Sequence, residues 1–161
     1  MYYITRSSLQ KLRERAEGLE RQIRVTLAGE IKDAAGFGDF SENAELDAAR
    51  EKQQLLTLEV RNLRERLNNA QIIDDLPIDG SRVAIGTSVS LRDLDSGEEI
   101  LWTILGEMET DVDRRVISYR APLARGLLGK EEGDEVSVQL PSGKKSFEIL
   151  RVERANLPPS V

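Results

Sequence analysis

The feature that most constrains this chain is a pair of similarly spaced apolar series on either side of a short glycine-containing segment. In the first series, apolar and small residues recur at alternating intervals of three and four from Leu9 to Thr26. The same spacing returns from Leu46 to Ala70. Such spacing places side chains on one face of a helix and is typical of a coiled coil. The sequence therefore predicts two helices that pack along a common seam.

The two series face each other if the chain folds back into an antiparallel hairpin. The predicted facing pairs are Leu9 with Ala70, Leu12 with Leu67, Ala16 with Leu63, Leu19 with Val60, and Ile23 with Leu56. Gly36 and Gly38 supply the backbone freedom to end the first helix. Pro77 marks where the second helix cannot continue comfortably. We therefore predict a coiled-coil hairpin over residues 1–76, with its turn centred on Asp39 and Phe40.

The rest of the chain has a different pattern, in which short stretches of alternating apolar and polar residues indicate strands. The predicted strands are Arg82–Ile85, Ser88–Leu91, Ile100–Ile104, Val116–Ser118, Glu135–Val138 and Ser146–Ile149. Turn signals at Asp95–Glu98 and Pro141–Lys144 separate strand pairs, and Leu123–Gly129 is the predicted helix. The fold class is therefore α+β: a helical hairpin followed, over residues 77–161, by antiparallel strands with a short helix.

Composition excludes several kinds of chemistry. The 161 residues include neither Cys nor His and carry a net charge of -6. Thiolate nucleophiles, histidine-containing triads and the usual transition-metal clusters are therefore excluded, and carboxylates remain as the obvious reactive groups. The negative charge argues against tight, sequence-independent binding of nucleic acid by this chain alone. Because no apolar run approaches the ~20 residues of a membrane span and no secretory signal is evident, we expect a cytoplasmic protein with no membrane partner.

Negative charge is concentrated between the two predicted helices. The segment from residue 33 to residue 49 has no Lys or Arg, and its acidic residues are Asp33, Asp39, Glu42, Glu45 and Asp47. Asp39 and Glu42 are three residues apart, so a helix beginning near them directs both carboxylates at one cation. Oxygen ligands suit Mg²⁺, but two carboxylates form only part of a site. One hypothesis is therefore that Asp39 and Glu42 complete a Mg²⁺ site whose other ligands come from a partner, in support of phosphodiester cleavage.

Helix capping is the competing interpretation of the same quartet. Asp39–Glu42 has the spacing of a capping box, in which Asp39 caps the helix and Glu42 returns the hydrogen bond, for about 1 kcal/mol. Glu45 and Asp47 fit an acidic first turn favoured by the helix dipole. Spacing alone favours capping over metal binding, since such quartets begin many helices.

A family resemblance changes that balance. Gly38–Glu51 closely resembles the tip motif of the Gre transcript cleavage factors, usually Gly-Asp-Leu-x-Glu-Asn-Ala-Glu-Tyr followed by small residues and Lys or Arg. Ala121–Asp134 is similar to the family's Ser-Pro-x-Ala-Arg-Ala/Gly-Leu-x-Gly-Lys stretch, and Leu94–Glu99 fits the GreA branch. Together these likenesses extend over nearly the whole chain.

The resemblance implies a coiled coil that enters the secondary channel of bacterial RNA polymerase and an FKBP-like domain that binds the channel rim. The polymerase itself then cleaves backtracked nascent RNA near its 3′ end, so the chain is a stimulating factor, not an enzyme. The family's metal-holding pair falls on Asp39 and Glu42, which would share the catalytic Mg²⁺ with the polymerase and not bind it stably alone. We expect the factor to act as a monomer.

The resemblance also assigns contact residues outside the acidic pair. The basic residue after the tip motif falls on Arg50, a candidate contact for the RNA, although an exposed helix charge explains it equally well. The second motif implies polymerase contacts at Pro122, Leu123 and Arg125. A basic patch further along the hairpin has candidate members Arg21, Arg24, Arg61 and Arg64, for which solvated helix faces are the simpler interpretation.

Two positions depart from the family pattern. Leu46 stands where Tyr is common, which preserves a seam position but removes any aromatic stacking on RNA. Ala121 replaces the usual Ser before Pro122.

Two alternative functions remain at this stage. A non-cleaving regulatory paralogue would occupy the polymerase channel, but the intact Asp39 and Glu42 argue against it. A prolyl isomerase would fit the implied fold, but fold alone does not confer activity. The aromatic residues of that half, Trp102, Tyr119 and Phe147, are too few for a well-walled proline pocket and suit core packing better.

Overall fold

The computed structural model describes residues 1–27, 29 and 40–158, without the side chains of residues 26, 27 and 40–43. The helices are α1 (Arg6–Gln22), which continues into a π-helical turn (Ile23–Leu27), α2 (Phe40–Asn68) and α3 (Pro122–Leu127). The strands are β1 (Tyr2–Ile4), β2 (Ala70–Ile72), β3 (Thr87–Asp93), β4 (Glu99–Leu105), β5 (Val116–Ser118), β6 (Glu135–Leu140) and β7 (Gly143–Arg154). Two 3₁₀ turns span Ile73–Asp75 and Glu107–Glu109.

The chain forms two compact units. Gln10–Asn69 form the helical unit, and Met1–Leu9 together with Ala70–Val161 form the sheet unit. Residues 1–9 and 70–76 thus group with the C-terminal strands. The division into a hairpin of residues 1–76 and a domain of residues 77–161 stays a prediction. Among the described residues, no helix combines the length and apolar character needed to cross a bilayer.

The seam predicted for the helical unit is confirmed by burial. Leu12, Ala16 and Leu63 are buried, whereas most positions between the seam residues are exposed. The half-buried seam residues are Leu19, Ile23, Leu46, Ala49, Gln53, Leu56, Val60 and Leu67. The alternating spacing therefore identified the contact face of both helices.

Two ion pairs join α1 to α2 beside the seam. Arg15 pairs with Glu59, and Arg64 pairs with Glu20. Arg15 and Glu59 each precede a seam residue by one position, while Glu20 and Arg64 each follow one. In an antiparallel pair of helices, residues on the same flank of each seam face each other. In a parallel pair, residues on opposite flanks do so. The ion pairs therefore support the antiparallel arrangement.

Both ends of the predicted helices need correction. Helix α2 ends at Asn68, and Ala70 pairs with Tyr2 in a strand, so the predicted facing pair of Leu9 and Ala70 is wrong. Ala70 fits the three-four spacing by position, but it belongs to the strand Ala70–Ile72, which pairs with Tyr2–Ile4. Helix α1 is α-helical from Arg6 to Gln22 and continues as a π-helical turn over Ile23–Leu27, whose wider turn interrupts the three-four register.

The sheet unit is built on a five-stranded sheet in the order β5-β4-β3-β7-β6. Strand β3 pairs antiparallel with β4 and β7, and β6 pairs antiparallel with β7. The predicted turns at Asp95–Glu98 and Pro141–Lys144 connect β3 to β4 and β6 to β7. Strand β5 is the exception to the predicted antiparallel order, because it runs parallel to β4.

The predicted strand Arg82–Ile85 is wrong. These residues lie outside the strands, although Val83 is buried. The N–H of Val83 donates to the carbonyl oxygen of Lys130, and its own carbonyl accepts from the N–H of Gly129. The alternation therefore reflects burial of Val83 beside the loop that follows α3, not a place in the sheet.

Helix α3 covers one face of this sheet. Ala124 and Leu127 are fully buried against a core formed by Val83, Val89, Leu91, Ile104, Val136, Val138, Phe147, Ile149 and Val152. Gly126 permits the close approach, because a β-carbon there would lie 2.6 Å from Cγ2 of Val138. Trp102 and Tyr119 pack against the same core, so the aromatic residues of this unit serve packing as predicted.

A smaller cluster brings both parts of the sheet unit together. Strands β1 and β2 pair in parallel, and Ile73 is buried with Leu105 and Ala155. Tyr3 and Leu76 pack against this cluster. Neither strand was predicted, because three residues are too few to show a period of two.

Candidate functional site

Of the predicted acidic pair, only Glu42 falls within a described element, the first turn of α2. The helix starts at Phe40. Asp39 lies outside the described residues, and of Glu42 only the helical backbone is described. Their assigned roles, as ligands of Mg²⁺ or as members of a capping box, therefore stay predictions.

The next turn of α2 is described with its side chains. Glu45 and Asp47 are exposed, so their carboxylates meet solvent. Leu46 is half-buried at its seam position, which confirms that Leu in place of the family's Tyr preserves a packing role. A partner can therefore reach both carboxylates of this turn from solvent.

Arg50 lies about two turns after Glu42, or about 12 Å further along the helix at ~1.5 Å per residue. Its side chain is exposed. Within the part of the chain that the structure describes, Arg50 makes no ion pair. The geometry therefore leaves the guanidinium accessible to an anionic partner such as a phosphate.

The basic patch further along the helices is partly neutralised. Nε and Nη2 of Arg64 donate to the two carboxylate oxygens of Glu20, at 3.0 and 2.8 Å. These hydrogen bonds lower the pKa of Glu20 and raise that of Arg64. Arg21, Arg24 and Arg61 are exposed. Sequence reasoning assigned no role to Glu20, although opposite charges on equivalent flanks of the seams were visible in the sequence.

The three candidate polymerase contacts on α3 do not share one environment. Pro122 and Arg125 are exposed, whereas Leu123 is half-buried and packs against the sheet core. Ala121 stands at the N-cap of α3 and makes no side-chain capping hydrogen bond. A Ser at this position, as in the family pattern, has the hydroxyl that such a cap needs.

Metal ligands do not cluster elsewhere in the described part of the chain. Among those residues, no group of three or more acidic side chains is close enough to hold a metal ion.

Comparison with known protein families finds two matches, which together cover most of the chain. Residues 2–72 match the family described as Transcription elongation factor, N-terminal. Residues 78–154 match the family described as Transcription elongation factor, GreA/GreB, C-term. The chain belongs to the GreA/GreB family. The resemblance inferred from Gly38–Glu51 and Ala121–Asp134 is therefore confirmed.

Individual relatives match along most of their length. Transcription elongation factor GreA of Halorhodospira halophila is 39% identical over 150 residues, which are 92% of this chain and 95% of the relative. The GreA of Chlorobaculum parvum is 41% identical over 151 residues, 93% of this chain and 95% of the relative. A solved GreA/GreB structure from Nitrosomonas europaea is 31% identical and covers 66% of this chain and 92% of that one, with a TM-score of 0.41.

Proposed function

We propose that this GreA/GreB family member binds bacterial RNA polymerase and stimulates the polymerase's own cleavage of backtracked nascent RNA. The observation that carries the proposal is the family tip motif Gly38–Glu51, with both acidic positions intact. The family match and the full-length likeness to factors named GreA support the transcriptional role. The factor supplies groups to a reaction that the polymerase performs, and has no catalytic site of its own.

Helix α2 provides the reach that this function needs. Its 29 residues span about 43 Å at ~1.5 Å per residue. The acidic motif lies at its N-terminal end, where the helix dipole favours ionised carboxylates. A helix of this length presents those carboxylates far from its own C-terminal end, as entry into a narrow channel requires.

The donor set fits Mg²⁺. The chain has no Cys or His, and Asp39 and Glu42 offer hard oxygen ligands. In the proposed complex, these two carboxylates hold a Mg²⁺ whose remaining ligands come from the polymerase and the RNA. When bound, the ion supplies Lewis-acid activation of water and of the phosphodiester.

Other residues position the partners. Arg50 contacts the displaced 3′ end of the RNA through a phosphate, since its guanidinium is exposed on the same helix. Pro122 and Arg125 contact the polymerase from the surface of α3, while Leu123 fixes that helix on the sheet core. The factor acts as a monomer in this arrangement.

The decisive experiment replaces each acid by its neutral amide. Asp39→Asn and Glu42→Gln keep size and capping ability, because Asn is a good N-cap and Gln completes a capping box. With stalled polymerase carrying 3′-labelled RNA, each variant should compete normally for the polymerase but lose at least about tenfold in cleavage, with partial rescue at raised Mg²⁺.

Glu45→Gln is the matched control, because it removes one exposed charge from the same helical end without touching the proposed pair. With this variant, the polymerase should cleave the RNA nearly as fast as with the unchanged factor. Near-normal cleavage by both Asp39→Asn and Glu42→Gln would contradict the metal role and leave capping as their function. Binding without any stimulation by the unchanged factor would identify the regulatory paralogue instead.

A further inference from the structure

The carboxylate of Glu109 lies against the N-terminal segment of the chain, within the sheet unit. Glu109 ends the 3₁₀ turn Glu107–Glu109. The backbone N–H and the hydroxyl of Thr5 both donate to its Oε1, each at 3.0 Å. Thr5 is 0% exposed, although it is polar. Burial of two polar groups on one acceptor indicates a contact with a specific role.

Thr5 immediately precedes the first residue of α1, Arg6. Its hydroxyl oxygen accepts from the N–H of Ser8 at 3.2 Å, and its carbonyl accepts from the N–H of Leu9 at 2.9 Å. Thr5 is therefore the N-cap of α1. The first turn of α1 contains no acidic residue of its own, and Glu109 brings a carboxyl group to it from 104 positions further along the chain.

The backbone around Glu109 is closely fitted to this contact. A β-carbon at Gly106 would lie 2.1 Å from the carbonyl oxygen of Tyr3 and 2.6 Å from Oε2 of Glu109, so no side chain fits there. Oε2 is buried and has no hydrogen-bond partner among the described residues. Only one of the two carboxyl oxygens therefore holds the N-terminal segment.

We propose that Glu109 is a latch that holds residues Met1–Leu9, the N-terminal strap, in the sheet unit, and that the strap opens locally when the latch is lost. The hydrogen bonds accepted by Oε1 hold it, not the charge of the carboxylate.

Two other polar contacts of the strap lie in solvent. The Arg6 guanidinium pairs with Asp75, and the Arg6 N–H donates to Asp74, but these contacts are exposed. Strand β1 has only three residues, and Met1 is 79% exposed. Ile4 is fully buried and also anchors the strap, so loss of the latch should loosen the strap locally while the sheet unit stays folded. Loss of the buried acceptor leaves two donors of Thr5 without a partner, which is the costly event.

Hydrogen exchange of the full chain, followed by mass spectrometry or NMR, tests the latch. Glu109→Met keeps the length of the side chain but accepts no hydrogen bond, and should accelerate exchange of the Thr5, Ser8 and Leu9 amides by about tenfold or more. Glu109→Gln keeps the Oε1 acceptor, so its exchange should stay within about threefold of the unchanged chain. Glu98→Met, an exposed substitution in the turn between β3 and β4, should change nothing in the strap.

Each contrary result overturns a definite part of the proposal. Unchanged strap exchange in Glu109→Met shows that Glu109 is no latch. Equal acceleration by Met and Gln shows that charge, not hydrogen bonding, holds the strap. Faster exchange throughout β3 and β7 shows a global loss of stability and no local opening. Should Glu109→Met fail to fold, Thr5→Val removes only the hydroxyl and should accelerate Ser8 and Leu9 by a smaller factor; no acceleration there also contradicts the latch.

Discussion

The two units of this protein bury their apolar side chains to very different depths. Val89, Leu91, Ile104, Leu127 and Ile149 of the sheet unit are almost completely enclosed. In the described part of the helical unit, only Leu12, Ala16 and Leu63 are buried, and the other seam residues are half-buried. The reason is geometric, because two helices have one face each to share, whereas a sheet covered by a helix encloses side chains between layers.

This difference indicates which unit is the less stable. Full burial of a large apolar side chain contributes about 1.5–3 kcal/mol, and half-burial contributes less. The helical unit contains the acidic motif of the proposed function, yet its described part rests on a narrow seam and on the partly exposed ion pairs Arg15–Glu59 and Glu20–Arg64. Substitutions in the seam should therefore disturb the helical unit alone, while the sheet unit remains folded.

A matched pair of Leu→Ala substitutions tests the comparison most strongly. Leu91→Ala in the sheet core should lower the free energy of unfolding of the sheet unit by about 3–4 kcal/mol, because it leaves a cavity. Leu56→Ala in the seam should lower that of the helical unit by only about 1–2 kcal/mol, since solvent already reaches part of the side chain. Trp102, the single tryptophan, reports the sheet unit by fluorescence, and far-UV circular dichroism reports mainly the helices. Equal losses for the two substitutions would show that the units do not differ in this way.

A charge placed in the seam should separate the two units. Leu19→Asp puts a carboxylate opposite the seam of α2 and should cost the helical unit about 2 kcal/mol or more. The dichroism signal should fall and its melting temperature should drop, while Trp102 emission stays unchanged. Arg13→Asp is the control, because this neighbouring position on α1 is exposed. Unchanged helicity in Leu19→Asp would mean that the seam is assigned to the wrong face.

Sequence reasoning succeeded where the information is local. The seam residues of α1 and α2 were predictable because three-four spacing fixes which side chains share a helical face. Strands β1 and β2 were not, because each has three residues and its partner lies far away in the chain. The contact between Glu109 and Thr5 was not predictable for the same reason, because the local sequence around each residue contains no information about the other.

The candidate site divides in the same way. Asp39, Glu42 and Arg50 are assigned through a contiguous motif, and their roles stay predictions. The different environments of Leu123 and its two exposed neighbours, Pro122 and Arg125, depend on how α3 packs on the sheet, which local sequence does not determine.

A smaller effect should come from restoring the missing cap of α3. Ala121→Ser supplies a hydroxyl at the N-cap and should stabilise the sheet unit by about 1 kcal/mol. Its thermal unfolding, followed through Trp102, should shift upward while the helical unit melts as before. Ala124→Ser is the contrast, because that position is fully buried and a hydroxyl there should destabilise the unit. A cap that brings no gain at position 121 would mean that the first turn of α3 does not limit the stability of this unit.

The smallest expected effect concerns the ion pair of Glu20 and Arg64 in the helical unit. The Arg64 hydrogen bonds lower the pKa of Glu20 below its ordinary 4.5, so the folded unit favours the ionised carboxyl more than the unfolded chain does. The resulting stabilisation is fully present above that ordinary pKa and is lost as pH falls through the lowered folded value.

Glu20→Gln should therefore melt slightly below the unchanged chain at neutral pH, and the difference should vanish on acidification. Because both side chains are partly exposed, added salt should also shrink it. Glu51→Gln, an exposed substitution on α2, should show no such convergence. A difference for Glu20→Gln that persists in acid would mean that the carboxyl stabilises the helices by packing, and that solvent-exposed charge pairing adds nothing measurable to the seam.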